Sequence, residues 1–504
     1  MINIITELSK YLIVILMTLF TLQCFTVFKK SDEEDRKYAL RKQIVTLLFL
    51  DTVAYLVMYL QTLDFNILIM YLQVAAYTIV IQVIYRIVYR KASIILVNDM
   101  CLLLSCGFII LTRLNFEMAE KQFAIVVIGT VLSLLVPVII RKVKLLKDLT
   151  WLYGLFGILC LAAVWILAPK TGGANLSLEF GGVTFQLSEV VKITFVFFMA
   201  GILRRDTSFR NVVITTAVAG AHVLILVLSR DLGSALVFFV TYVVMVYVAT
   251  RKPLYALAGL GGGAAASVLA YYLFGHVRQR VVAWRDPFSV YETNGYQIVQ
   301  SLFAICAGGW FGTGLFKGSP DTIPVVTQDS IFAAICEELG GIFAICMLLV
   351  CMSCFLMIVN ISMKMGNKFY KLIALGLGTE YAFQVFLTVG GTTKFIPLTG
   401  ITLPLVSYGG SSVICTIIML AIIQGLYILR EDEGVQLEKQ RQERIQRQEW
   451  PSRQQSGTKS AREKSLEEKI EEETEKSLRW ERIRGGILCI RRHFSCPDRL
   501  YRLF

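Results

Sequence analysis

The chain has 504 residues, of which 56% are hydrophobic and 17% are charged, and its formal net charge is +13. Its apolar residues lie in long runs of about 20 residues, the length of a helix that crosses a bilayer. This pattern excludes a water-soluble multidomain protein and a β-barrel, whose strands alternate in polarity. The positive charge is typical of cytoplasmic loops between membrane helices, so we do not expect nucleic-acid binding.

The first predicted element is the apolar run within MINIITELSKYLIVILMTLFTLQCF. Glu7 precedes this run and no cleavage site of small residues follows it, so we predict a retained membrane helix rather than a signal peptide. Further apolar runs predict an all-α polytopic membrane protein with about 13 transmembrane helices. The predicted spans are 11–28, 43–62, 66–85, 93–112, 123–140, 149–168, 190–204, 211–229, 232–250, 254–274, 341–362, 369–391 and 411–429.

The gaps between these spans alternate in charge along the chain. Gaps after odd-numbered spans are short and basic, as at Arg86, Arg90 and Lys91, whereas the other gaps hold fewer Lys and Arg for their length. Because cytoplasmic loops are enriched in Lys and Arg, the alternation predicts an outer N-terminus and a cytoplasmic C-terminus.

Three interrupted segments fall on the predicted outer side: 168–189, 275–340 and 393–412. Irregular backbone at membrane depth is tolerated only where it is buried in protein or lines a wet cavity. We therefore expect these segments to face each other and to shape one cavity.

The tail, 431–504, changes character. Its first part is dense in Glu, Lys, Arg and Gln and has too few apolar residues to bury a core. Its end, GGILCIRRHFSCPDRLYRLF, either lies on the anionic inner leaflet or is a flexible extension.

Ionisable residues near apolar segments are costly and are therefore candidates for function. Four groups stand out: Glu189 with Lys192, Arg230 with Asp231, Glu337 with Glu338, and the stretch WRDPFSVYETNGYQIVQS at 284–301. Each group also has a structural interpretation. These are, in the same order, an ion pair, a helix N-cap, a surface turn and an Asp-Pro turn.

The segment 275–340 combines the groups needed to bind and process a phosphate-bearing amphiphile. Arginines and exposed amides suit phosphate, a carboxylate can act as general base, and the glycines of 308–318 allow close approach of a ligand. The phosphate candidates are Arg278, Arg280 and Arg285, and the candidate bases are Asp286 and Glu292.

Several ordered motifs resemble the SEDS family, the FtsW, RodA and SpoVE proteins of cell-wall synthesis. They are QLSEVVK, DLGSALV, GYQIVQSLFAI with GGWFGTGL, IPVVTQDSIFAAICEELG, and PLTGITLPLVSYGGSS, which together cover roughly 165–430. The family core has ten spans. The resemblance therefore implies three extra N-terminal spans in 1–92, a SEDS-type core in 93–430 and the cytoplasmic tail 431–504.

The resemblance also implies a function. Family members are peptidoglycan glycosyltransferases that polymerise lipid II on the outer face of the bacterial cytoplasmic membrane, in division, cell shape or sporulation. They work with a class B penicillin-binding protein and other cell-wall or divisome proteins. A Mg²⁺ or Mn²⁺ ion would assist at the pyrophosphate. The alternative is a lipid II flippase, or a non-catalytic scaffold that recruits the penicillin-binding protein.

The family's catalytic position is altered in this sequence. Counting back from Gly295 without a gap, Asp286-Pro287 matches the first of two acidic or amide–Pro steps, and the catalytic Asp of the second step falls on Val290. The catalytic carboxylate is therefore either Asp286 or Glu292. The matching motifs further imply substrate binding by Gln297, Gln300, Ser301, Ser407, Gly409 and Gly410.

The predicted topology can be tested with single cysteines in a background without the native ones. We expect Val290→Cys to react with a membrane-impermeant thiol reagent in whole cells and Gln440→Cys to react only after lysis, because the charge alternation places 290 outside and 440 inside. Labelling of Gln440→Cys in intact cells would reverse the orientation.

Overall fold

The computed structural model describes residues 2–30, 32–168, 178–180, 183–455 and 469–474. The described chain is mainly α-helical, with one short antiparallel hairpin in which Leu178 pairs with Phe185. The elements are α1 Ile2–Val27, α2 Glu33–Thr62, α3 Phe65–Val88, α4 Ile94–Leu114, α5 Phe116–Ser133, α6 Val136–Lys142, α7 Thr150–Leu167, β1 Leu178–Phe180, β2 Val183–Phe185, α8 Leu187–Leu203, α9 Phe209–Leu228, α10 Leu232–Thr250, α11 Pro253–Leu273, α12 Gly275–Arg285, α13 Tyr296–Gly308, α14 Ile331–Leu339, α15 Gly341–Lys364, α16 Lys368–Thr392 and α17 Gly410–Gln455.

Every predicted span lies on helical structure, which confirms the all-α polytopic fold. Among the described residues, 12 helical segments are long and apolar enough to cross a membrane. The remaining predicted span, 190–204, corresponds to α8, which has 17 residues. The number of 13 spans therefore stays a prediction. The span 123–140 comprises α5 and α6, which are separated just before Pro137, where proline lacks the amide hydrogen that a continuous helix needs.

Helices α12, α13 and α14 lie inside the segment 275–340, which the sequence predicted as an outer loop. They were not predicted because each has at most 13 residues, too few to span the hydrocarbon core. The segment is thus a folded layer of short helices and turns.

Helix α4 is the most enclosed of the membrane helices. Every residue from Ile95 to Thr112 is buried, including Asn98, Asp99 and Ser105. It packs against α3, α5, α14 and α15. Polar side chains at membrane depth are tolerated when they face protein rather than lipid, so the sequence of α4 requires this central position.

Helix α11 has the opposite environment, because none of its residues is buried. It packs against α10 and continues into α12. Its outward faces are therefore left for lipid, and its far end, at Leu273, lies beside the folded segment 275–340.

The chain divides into two compact units. One comprises 1–21 and 46–430, and the other comprises 22–45 and 431–504. The predicted domain boundaries at 92 and 430 stay predictions. In the tail, residues 456–468 and 475–504 lie outside the described residues, as does the predicted leaflet-binding end.

Two glycines allow the segment 309–314 to meet the turn between α14 and α15. Gly340 has a φ of 91°, and a Cβ atom there would lie 2.4 Å from the amide nitrogen of Gly312. The backbones also pair directly, with the Gly341 amide donating to Gly309 O at 2.9 Å and the Ile342 amide donating to Trp310 O at 3.1 Å. Gly312 has a φ of 79°, and a Cβ atom there would lie 2.3 Å from Glu338 O. A side chain at Gly340 or Gly312 would therefore push these two backbone segments apart.

We expect Gly340→Ala to lower the free energy of unfolding by ~1–3 kcal/mol or more, because alanine is strained at this positive φ and its Cβ atom clashes with Gly312. Gly261→Ala is the control, since its added Cβ meets nothing within 4 Å in α11 and alanine favours a helix over glycine. Thermal melts in detergent measure both variants. Equal melting temperatures for the two would contradict this account of the turn.

Candidate functional site

Arg280 is the centre of a charged group at the predicted outer ends of the helices. It projects from α12, and its Nη1 donates to the carbonyl oxygens of Leu398 at 3.2 Å and Thr399 at 2.9 Å. Burial lowers the pKa of the Arg280 guanidinium, while the charges of Asp231 and Asp329 oppose that shift. An arginine remains protonated under such conditions, so the site holds a positive charge that interacts with two carboxylates.

Asp231 is the first of these carboxylates. Its Oδ1 accepts from the Ser234 amide at 3.0 Å, which confirms the N-cap interpretation for α10. Its Oδ2 accepts from Gln186 Nε2 at 3.2 Å and from Ser188 Oγ at 3.4 Å. The same side chain therefore caps one helix and holds the start of α8.

Asp329 is the second carboxylate, and the sequence analysis did not single it out. Its Oδ1 accepts from Gln297 Nε2 at 3.0 Å, and Gln297 also donates to Ser330 Oγ at 2.9 Å. Burial raises the pKa of Asp329 to about 6, although a backbone hydrogen bond, the hydrogen bond from Gln297 and the charge of Arg280 favour the charged form. A carboxylate with a pKa near the working pH is suited to proton transfer. In the sequence, the signal that could have identified Asp329 is its position in QDSIF, directly before a short apolar helix.

The three interrupted outer segments do meet, as predicted. Arg280 joins 275–340 to 393–412, and the Tyr408 amide strengthens this junction by donating to Thr327 O at 2.8 Å. The Gln186 amide donates to Ser411 Oγ at 3.2 Å. This hydrogen bond joins the end of the segment 168–189 to the segment 393–412. Residues 169–177 and 181–182 of that segment lie outside the described residues.

The two predicted catalytic carboxylates, Asp286 and Glu292, are both exposed. Asp286 ends α12, and its Oδ1 accepts from the Ser289 amide at 3.3 Å, which confirms the Asp-Pro turn. Val290 contributes its carbonyl oxygen to the same turn by accepting from the Gly295 amide at 2.9 Å. The assignment of the base to Asp286 or Glu292 stays a prediction.

The other predicted binding residues divide by exposure. Arg278 and Arg285 are exposed on α12, and Gln300 donates to the Tyr291 hydroxyl at 3.0 Å. Ser301 is buried and donates to Gln297 O at 2.8 Å.

The predicted binding residues of the SYGGSS motif lie around the start of α17. Ser407 is buried, and its hydroxyl accepts from the Leu403 amide at 2.8 Å and donates to Gln328 O. The Gly409 amide donates to Gln122 Oε1 at 3.3 Å, and Gly410 begins α17. The structure therefore gives Ser407 a role in holding the outer segments together.

The predicted ion pair between Glu189 and Lys192 is confirmed, with 2.7 Å between Lys192 Nζ and Glu189 Oε2. Lys192 also donates to Gln384 Oε1 at 2.8 Å. Glu380, which the sequence analysis did not select, lines a small cavity of about 20 Å³ with these residues. That space is sufficient for one water molecule.

Glu337 and Glu338 are buried in α14, so their interpretation as a surface turn was wrong. Arg113 Nε lies 2.8 Å from Glu338 Oε1, and the Ser319 amide donates to Glu337 Oε1 at 2.7 Å. Burial raises the pKa of Glu338 to about 7, and the Arg113 charge opposes this shift. The pair links the end of α4 to the folded outer segment.

The expected divalent ion has no cage of protein ligands in the described part of the chain. No three His, Cys, Asp or Glu side chains come together there with metal-binding geometry. The described residues therefore do not fit a site in which the protein alone holds Mg²⁺ or Mn²⁺.

Comparisons with known proteins identify the family and several relatives of this chain. The family model for the cell cycle proteins FtsW, RodA and SpoVE matches residues 94–431. The chain is 34% identical over 321 residues to the peptidoglycan glycosyltransferase RodA of Mycobacterium leprae, covering 60% of this chain and 69% of that protein.

Two solved structures share the fold. One comes from work on polymerisation and crosslinking by a peptidoglycan synthase complex, with a TM-score of 0.57, 23% identity, and coverage of 68% of this chain and 98% of that one. The other is the rod shape determining protein RodA of Thermus thermophilus, with a TM-score of 0.52, 22% identity, and coverage of 67% and 96%.

Asp329→Asn should change the pH dependence of stability. Because the pKa of Asp329 rises on folding from 3.8 to about 6, the folded state binds more protons than the unfolded state between these values, and wild-type stability falls as pH rises through this window. We expect the melting temperature of Asp329→Asn, relative to wild type, to be higher at pH 7 than at pH 4. Asp286→Asn, at an exposed carboxylate, controls for the loss of one charge. If the difference in melting temperature between Asp329→Asn and wild type is the same at pH 4 and pH 7, the raised pKa of Asp329 is contradicted.

Proposed function

The chain belongs to the family of the cell cycle proteins FtsW, RodA and SpoVE, and on this premise we propose that it is a peptidoglycan glycosyltransferase that polymerises lipid II on the outer face of the bacterial cytoplasmic membrane. The observation that carries the proposal is the charged group of Arg280, Asp231 and Asp329, formed where three outer segments converge. Such a group places a buried cation in the segment that also carries the exposed candidate bases, next to a membrane domain suited to a lipid substrate.

The proposed reaction forms one glycosidic bond and breaks one phosphate ester bond. The 4-hydroxyl oxygen of an acceptor N-acetylglucosamine attacks the anomeric carbon of the donor N-acetylmuramic acid, and undecaprenyl pyrophosphate leaves with the electrons of the broken C–O bond. A carboxylate takes the hydroxyl proton. Arginines in 275–340 stabilise the charge that develops on the leaving pyrophosphate.

Three carboxylates are candidates for the base. Asp286 and Glu292 are exposed and are accessible to a large substrate. Asp329 has a pKa raised to about 6 and lies against Gln297, so it can accept a proton at neutral pH. We retain Asp286 or Glu292 as the base that contacts the acceptor and assign Asp329 to positioning through Gln297 and Arg280.

A divalent ion remains part of the proposal only as a companion of the substrate pyrophosphate. Mg²⁺ commonly takes most of its ligands from phosphate and water, and no three acidic, His or Cys ligands cluster in the described residues. The proposed reaction therefore assigns no step to the metal.

We further propose that the chain works with a class B penicillin-binding protein and other cell-wall or divisome proteins in division, cell shape or sporulation. The fold shared with a structure from a peptidoglycan synthase complex supports this kind of partner. In this arrangement the N-terminus is outside and the C-terminal tail is cytoplasmic, so both the substrate site and the partner's extracytoplasmic domain lie on the same side of the membrane.

One observation favours a second function. Val290 stands where the family's catalytic Asp is expected, and its side chain has no proton chemistry. A chain without a working base would serve as a lipid II flippase or as a scaffold that recruits the penicillin-binding protein.

Lipid II polymerisation with the penicillin-binding partner separates these functions. We expect Asp286→Ala or Glu292→Ala to slow polymerisation by about 100-fold or more, because a general base contributes ~10²–10⁴-fold to rate. Glu117→Ala, at an exposed carboxylate paired with Lys121, is the matched control and should retain wild-type activity. An active wild type with two active alanine variants would reject the assignment of the base. An inert wild type that Val290→Asp activates would favour the scaffold or flippase.

A further inference from the structure

The small cavity beside the Glu189–Lys192 pair lies inside the membrane domain, between α8, α16 and α17. Its volume of about 20 Å³ holds one water molecule. Its acidic and basic lining residues are Glu189, Lys192 and Glu380, and none of them is more than 6% exposed. The cavity therefore brings three ionisable side chains together away from bulk water.

The charges of these three side chains do not balance. Lys192 Nζ lies 2.7 Å from Glu189 Oε2. Its second contact is with a neutral amide, because it donates to Gln384 Oε1 at 2.8 Å. The ammonium therefore offsets one carboxylate and leaves the charge of Glu380 without a counterpart. An uncompensated charge in a buried site is strongly unfavourable, so the cavity needs one more positive charge.

The carboxyl group of Glu380 also needs a hydrogen-bond partner. Its Oε1 is shielded from solvent and has no partner in the part of the chain that the structure describes, whereas buried polar atoms normally have one. The Thr416 hydroxyl cannot donate to it, because it donates to Ser412 O at 2.8 Å. The Lys192 ammonium has three N–H donors, and the contacts above use two of them. A water in the cavity can therefore join Lys192 to Glu380.

A proton fits this space better than a metal ion does. A metal ion would lie beside the Lys192 ammonium, and like charges at short range repel each other. Mg²⁺ and Ca²⁺ also take about six or more oxygen ligands, whereas the cavity holds one water. A protonated carboxyl group is neutral, donates one hydrogen bond and accepts others, so it meets both needs of Glu380.

We propose that this cavity is a proton-binding site within the membrane domain, in which Glu380 holds the proton and one water joins its carboxyl group to Lys192. The other titratable groups that line the cavity are Tyr381 of α16 and Cys415 of α17. Helices α10, α13, α14 and α15 also pack against α16, and none of their described residues lines the cavity.

The proton site is separate from the outer charged group. Thr392, at the end of α16, donates to Asp329 O at 3.1 Å. The helix from Glu380 to Thr392 is about 18 Å long, at a rise of about 1.5 Å per residue. The proton on Glu380 is therefore not the one that the proposed base takes from an acceptor hydroxyl, and the inference does not rest on the proposed function.

Infrared spectroscopy of the full chain in lipid nanodiscs at pH 7 tests the proposal without any substrate. We expect the spectrum of wild type minus that of Glu380→Gln to contain the C=O band of a carboxylic acid, and this band should shift in D₂O. Glu117→Gln is the matched control at an exposed carboxylate paired with Lys121, and its difference spectrum should contain a carboxylate band. A carboxylate band for Glu380 as well would overturn the proposal.

A second pair of variants tests the charge balance. Glu189→Gln removes the carboxylate that now pairs with Lys192, so the ammonium becomes available to Glu380. In that background the band lost on adding Glu380→Gln should be that of a carboxylate, because one positive charge then balances one negative charge. If the lost band remains that of an acid, the charge balance from which the site is inferred is wrong.

Thermal melts distinguish a proton from a metal ion. Replacing choline chloride by sodium chloride at constant ionic strength should leave the melting temperature of wild type unchanged, whereas a bound ion would raise it. Raising the pH from 7 to 9 should lower the melting temperature of wild type relative to Glu380→Gln, because loss of the proton leaves a buried charge. A sodium effect that Glu380→Gln abolishes would overturn the proposal in favour of a metal-ion site. An identical response of both chains to pH would also overturn it.

Discussion

The end of the molecule that is predicted to face outward depends on the burial of one positive charge, that of Arg280. A guanidinium removed from water needs oxygen partners, and here it donates to the carbonyl oxygens of Leu398 and Thr399 and interacts with the charges of Asp231 and Asp329. These partners come from different segments of the chain. Satisfying one side chain therefore fixes how α10, α12, and the segments before α14 and α17 are placed against each other.

The carboxylates around this charge occupy environments that suit different tasks. Asp231 has its oxygens occupied by Ser234, Gln186 and Ser188, so it organises helix ends. Asp329 is half-buried, with its pKa raised to about 6, and it can change protonation near neutral pH. Asp286 and Glu292 are exposed. Burial therefore distinguishes Asp329 from the exposed pair, and burial is a general cause of a raised carboxyl pKa.

The membrane domain combines an enclosed centre with an accessible flank. Helix α4 is buried along its length and is tied to the outer segment through Arg113 and Glu338. Helix α11 has no buried residue and ends beside a cavity lined by Arg230 and His276. A buried centre holds charged groups in position, whereas a flank open to lipid allows an amphiphile to approach them without crossing water. This contrast suits an enzyme whose substrates carry long apolar chains.

The sequence alone determined the all-α membrane fold and the family, because helix length and hydrophobicity are local properties and the motifs are short contiguous strings. It also predicted local contacts such as the Glu189–Lys192 pair, whose three-residue spacing places both side chains on one helix face. It missed Asp329 and Glu380, offered for Glu337 and Glu338 a structural alternative, the surface turn, that was wrong, and predicted no helices within 275–340. Only the tertiary structure decided these points. Burial and electrostatic coupling depend on which distant segments pack together, and hydrophobic periodicity carries no information about the partner that a lone carboxylate or arginine will meet.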